Sequence, residues 1–108
     1  MCGVEKLNPQ SALYKAILKI FPAKQFVQKF SIIHSGQIPH VGILLTAGKI
    51  TLFDKTKKLE VFPGNLIAAK ELISEKSIDV TITIEPNSYV SLIDKISLKE
   101  LLARESVA

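Results

Sequence analysis

The sequence predicts a mainly β chain with flanking helices, built as a sandwich or jelly-roll barrel. Three observations point that way. From Phe30 onward, the short runs "FSIIHSG", "VGILL", "KITLF", "LEVF", "SIDVTITI" and "SYVSLID" are rich in Val, Ile, Thr, Phe and Tyr, residues that suit a pleated, half-buried surface. Turn formers separate the runs: Gly36, Pro39, Gly48, Asp54–Lys58, Pro63-Gly64 and Pro86-Asn87. Helical spacing of apolar residues is confined to the two ends and to one interruption. Many short strands with regular turns, flanked by helices, are the pattern of a small closed β unit.

The elements follow in order. Asn8 reads as a helix cap and Pro9 as the first helical residue. Leu13, Ile17, Ile20 and Phe21 then recur at helical spacing, with Lys15 and Lys19 off that face, up to Pro22. A lead-in helix is expected over about 9–21, with a second short helical turn around Lys24–Val27. The barrel follows over about 30–95. Its clearest strand is "DVTITIE", with Val80, Ile82 and Ile84 on one face and Thr81, Thr83 and Glu85 on the other. The segment "NLIAAKELISE" breaks the period with Leu66, Ile67, Ala69, Leu72 and Ile73. Its two alanines favour helix over strand, so a short helix is expected at about 66–73. Ser97 and Glu100 form a capping box for a closing helix at about 97–104, with Ile96 and Leu101 as the staple.

Composition bounds the function. A length of 108 residues fits one domain, expected here to span 1–108, and 47% apolar residues exclude a disordered chain. No stretch approaches the roughly 18 apolar residues of a membrane span, and "MCGVEKLNPQ" lacks a secretory pattern. Cys2 is the sole cysteine, so no internal disulfide forms and a reduced, cytoplasmic setting is expected. The net charge of +4 is scattered. Its one dense run, Lys55, Lys57 and Lys58, reads as a solvated hairpin tip in preference to a nucleic-acid contact. His34, near a strand end, and His40, in a loop, have no ligand-spaced companions for a metal. Glu71 and Glu75 read as a solvated helix edge, and Cys2 as part of a frayed end with no nucleophilic role. Ser11, Ser35 and Ser77 have no catalytic partners by motif. No enzyme is expected.

With the elements in place, the ordered set of motifs resembles the cyclic-nucleotide-binding domain, the barrel of the cyclic AMP receptor protein and of the protein kinase A regulatory subunit. "FSIIHSGQIPHVGILLTAGKITLF" is similar to the family's early strands and turns, "FPGNLI" to its "PGD-x-[FI]" turn, and "YVSLIDKISLKELL" to its last strand and closing helix. Gly36, Gly48 and Gly64 stand at its turn glycines. The resemblance covers about residues 12–103 and implies a β jelly-roll, or double-stranded β-helix, barrel of that family's type.

The resemblance also implies a phosphate-binding cassette, roughly "F-G-E-[LI]-[AS]-L-L…P-R-[ST]-A". In the family its Gly and helix start turn N–H groups to the cyclic phosphate. Its Glu accepts from the ribose 2′-hydroxyl, and its Arg pairs with the phosphate. Here the turn supplies Gly64 and Asn65. Ile67 stands for the aromatic, Ala68 for the Gly and Ala69 for the Glu, followed by Lys70 and Glu71. Lys76 stands for the Arg, Ser77 for the hydroxyl residue and Ile78 for the small residue. A slip of one or two positions brings Glu71 or Glu75 toward the ribose but restores no Arg, because Arg104 is the only one. A hydrogen bond to a charged group is worth about 1.5–3 kcal/mol. Two such losses weaken a micromolar ligand by roughly two to four decades.

Two functions are therefore expected to compete. The first is a regulatory module with a degenerate ligand site and no cofactor, acting through a protein partner or a homodimer. The alternative is a receptor for a cyclic nucleotide or dinucleotide that uses Lys76, Ser77 and Glu71. DNA binding is not expected, since "SLKELLARESVA" leaves no length for a dimer helix or a helix-turn-helix. By the same count the pocket lacks a covering helix, and uncovered apolar faces favour self-association or a partner.

Overall fold

The structure, a computed structural model, describes residues 2–106, so the outer limits of the expected 1–108 unit lie outside the described residues. It contains β1 (Val4–Lys6), α1 (Ala12–Ile20), β2 (Lys24–Phe26), β3 (Phe30–Ile33), β4 (Gly42–Ala47), β5 (Ile50–Phe53), β6 (Lys58–Val61), β7 (Asn65–Ile67), α2 (Ala69–Ser74), β8 (Thr81–Ile84), β9 (Ser88–Ile93) and α3 (Lys95–Ser106). The strands form two antiparallel sheets, one in the order β1-β7-β4-β9-β2 and the other β3-β8-β5-β6. This is the expected mainly β jelly roll with flanking helices.

Two apolar clusters account for the layers. Between the sheets, Ile43, Leu45, Ile67 and Val90 of one meet Ile33, Ile50, Leu52, Ile82 and Ile84 of the other. On the opposite face of the five-stranded sheet, Leu44, Leu66 and Ile93 pack against Ile17, Leu72, Leu98 and Leu101 of the helices. That sheet is therefore buried on both faces, and "GILL" needs no polar alternation. The four-stranded sheet keeps the alternation of "DVTITIE". Its outer side is covered by polar contacts, Thr51 to Glu85 at 2.6 Å and Ser31 to Thr83 at 2.9 Å, so Thr51 and Thr83 are buried and satisfied. Gly48 joins β4 to β5 at φ +89, and a Cβ there would lie 2.3 Å from Ser88 Oγ. Only glycine fits that approach.

Several element ends differ from expectation. The cap of α1 is Ser11, whose Oγ accepts from the Tyr14 N–H, because Asn8 instead accepts from the Gln10 N–H and closes a separate turn that holds Pro9. Residues 24–26 are a strand paired with β9, not a helical turn. Leu66 and Ile67 belong to β7, and the helix begins at Ala69, since pairing with β4 and β1 overrides helix propensity there. α3 begins at Lys95, and Asp94, not Ser97, caps it by accepting from the Ser97 N–H at 3.1 Å. That bond holds the Asp94 carboxyl below its ordinary value. Ile96 is exposed, so it makes no staple with buried Leu101. β1 has no counterpart in the sequence reading.

Candidate functional site

The segment from Gly64 to Glu71 is a turn, a three-residue strand and the first turn of a helix. Gly64 has φ +96, donates its N–H to the Leu45 carbonyl at 2.8 Å, and accepts from Leu7 at 2.7 Å. Asn65 closes the turn with Nδ2 on the Phe62 carbonyl at 2.8 Å. Ile67 is buried between the sheets. Ala68 then adopts the left-handed region, φ 65 and ψ 17, with its methyl group in the core. The position matched to the family's Gly thus has the backbone that favours Gly. Ala69 opens α2 and is buried among the helices.

The structure adds a neighbour that the sequence did not suggest. Gly3 lies against the cassette. Its carbonyl accepts from the Ala68 N–H at 3.0 Å, and its own N–H donates to both carboxylate oxygens of Glu71 at 3.2 Å. β1 continues the contact by pairing Val4, Glu5 and Lys6 with Ile67, Leu66 and Asn65. Lys70 pairs with Glu5, at 3.9 Å on the surface. Cys2 is 5% exposed and sits in the inter-sheet core, so the expectation of a frayed end is overturned. Burial pushes its thiol up to about 11, and the charge of Glu71 adds to the shift. A three-residue strand has too little periodicity to be seen from sequence.

The rest of the predicted set lies elsewhere or faces water. Lys76 and Ser77 are exposed in the loop after α2. That loop is tied to the Gly36 turn by Ile78 N–H to Gln37 at 3.0 Å and Gly36 N–H to Ile78 at 2.7 Å. Glu75, left-handed at the end of α2, pairs with Lys95 at 2.6 Å, which holds its carboxyl below the ordinary range. Glu71 is thus half-buried and engaged by Gly3, against the solvated edge expected for it, whereas Glu75 stays exposed as expected. Arg104 stands on α3 and lines a surface cleft with Ala16, Lys19 and Ile20. The basic run Lys55, Lys57 and Lys58 is at the β5–β6 hairpin, with Lys58 Nζ 5.8 Å from the Phe53 ring centre.

Comparison with solved structures places this architecture. The Thermus thermophilus catabolite activator protein superposes with a TM-score of 0.70 at 17% identity, over 85% of this chain and 46% of that one. The chain has the cyclic-nucleotide-binding-domain fold. A protein of a cyclic-GMP-dependent signalling pathway that regulates bacterial phytopathogenesis shares the fold with a TM-score of 0.75 at 12% identity, over 94% and 85% of the two chains. So does the regulatory domain of Toxoplasma gondii PKA, solved with cyclic AMP, with a TM-score of 0.70 at 13% identity over 88% and 39%. The chain spans less than half the length of the first and third of these proteins. No protein-family model matches the sequence, and no curated protein matches it. No described helix is long and apolar enough to cross a membrane.

Proposed function

We propose that this chain is a regulatory module on the cyclic-nucleotide-binding-domain fold whose cassette no longer recognises a cyclic nucleotide, and whose output passes through contacts with a protein partner or a second copy. One observation carries the reading. Where the fold's ligand chemistry would need a carboxylate and a guanidinium, the chain has Ala69 and Lys76, and the nearby carboxylate, Glu71, already accepts from Gly3. An ammonium keeps the charge of an Arg but not its planar pair of donors, and Lys76 is exposed. The reading assigns the chain no catalytic chemistry and no cofactor.

Calorimetric titration with cyclic AMP, cyclic GMP and cyclic di-GMP tests it. The expected result is no binding heat at millimolar ligand. A micromolar Kd for any of the three contradicts the reading and favours the receptor alternative. In that case Lys76→Ala should weaken binding at least about tenfold, the worth of one charge-assisted hydrogen bond.

A further inference from the structure

We infer that residues 2–7 are an internal occupant of the cassette, a strap that closes the site with the chain's own backbone and must leave before any ligand reaches Ala68. The inference rests on the placement of the cassette at Gly64–Glu71. The Gly3 peptide satisfies the cassette in both directions. Its carbonyl takes the Ala68 N–H at 3.0 Å, and its N–H is held by the forked Glu71 carboxylate at 3.2 Å. On one side, Cys2 is buried with Ile67, Ala68, Ile78 and Val80. On the other, β1 pairs along the whole of β7, and Leu7 closes on Gly64 at 2.7 Å. The contact therefore runs unbroken from the core to the Gly64 turn.

The same features make the strap detachable. β1 is three residues long and lies at the edge of its sheet. Val4 and Lys6 are exposed, so Cys2 is the one side chain between residues 2 and 6 that is fully buried. Within the segment joining β1 to α1, residues 8–10 are exposed, and Leu7 is half-buried against the helix-side cluster. An edge element with few buried contacts opens at lower free energy than the whole fold. Glu71 is then the latch, because it is the only side chain bonded to Gly3 among the hydrogen bonds of the described residues.

Cys2 is the only thiol in the sequence, so its reaction with a disulfide reagent such as dithionitrobenzoate reads the strap directly. In the full chain it should react at least about 100-fold more slowly than in the urea-unfolded chain, as expected of a buried group reached only by opening. Glu71→Ala should accelerate the reaction about tenfold or more, the fold-change of one lost charge-assisted hydrogen bond. Glu71→Gln, which keeps an acceptor, should recover most of the protection. Labelling of the folded chain at the unfolded rate overturns the inference, as does an Ala variant that labels no faster than the parent. Labelling with cyclic AMP present separates this inference from the functional reading. If the nucleotide binds at micromolar concentration and speeds labelling, the strap stands and the degenerate-site reading falls. If it binds and leaves labelling unchanged, the strap does not occupy the ligand's place and is overturned.

Discussion

Ala68 holds a left-handed backbone with a methyl group in the core. The backbone costs a residue with a Cβ roughly 1–2 kcal/mol. The buried methyl group returns about 0.8 kcal/mol, and an alanine loses less chain entropy on folding than glycine by about 0.4–1 kcal/mol. These terms nearly cancel, so Ala68→Gly should change stability by less than ~1 kcal/mol. Ala69 is buried in ordinary helix and gains nothing from glycine, so Ala69→Gly should cost about 1–2 kcal/mol. Urea unfolding of the two variants checks the difference, and equal losses would contradict the assigned geometry of Ala68. At this scale the sequence was informative wherever residue identity alone decides. Ala69 has no acceptor, and no slip in alignment supplies an Arg. It was silent on Glu71, whose partner Gly3 lies 68 positions away and donates from its backbone.

At the scale of elements, errors arose where two local signals competed. Asn8-Pro9 and Ser11 both read as helix starts, and the turn closed by Asn8 left the cap to Ser11. Asp94 and Ser97 competed in the same way, and the carboxylate won. Leu66 and Ile67 looked helical because a strand buried on both faces loses its alternation. β1 was missed because its stability comes from pairing with β7 and from the seat of Cys2. That seat gives β1 a pH dependence. In the docked strap the thiol pKa is about 11, against an ordinary value of 9.0 once released. Below pH 9 both forms keep the proton and docking is intact. Between 9 and about 11 the released form loses its proton first, so docking weakens by about 1.4 kcal/mol per pH unit. Methyl signals of Val4 and Ile67 followed by NMR from pH 8 to 11 should therefore move toward the released state. In a Cys2→Ser chain they should move less over that range, and identical titration of both chains would contradict the account.

For the molecule as a whole, the fold was readable because it is written many times over. The strands β3 to β6, β8 and β9 each carry their own apolar run, and the glycines at 36, 48 and 64 all have the positive φ that the turns require. The layers follow from which faces are apolar, and β7 lies one strand in from the edge of the five-stranded sheet, with β1 as the edge strand outside it. What a single sequence does not display is what lies on that edge. There, on our proposal, the backbone of residues 2–7 covers the candidate cassette. The most direct test is amide hydrogen exchange at Ala68, read with and without millimolar cyclic AMP. The account predicts that this N–H, bonded to the Gly3 carbonyl, exchanges slowly in the free chain and that the nucleotide leaves its rate unchanged. Fast exchange in the free chain that slows when cyclic AMP is added would contradict it, and would mark the cassette as an open, working ligand site.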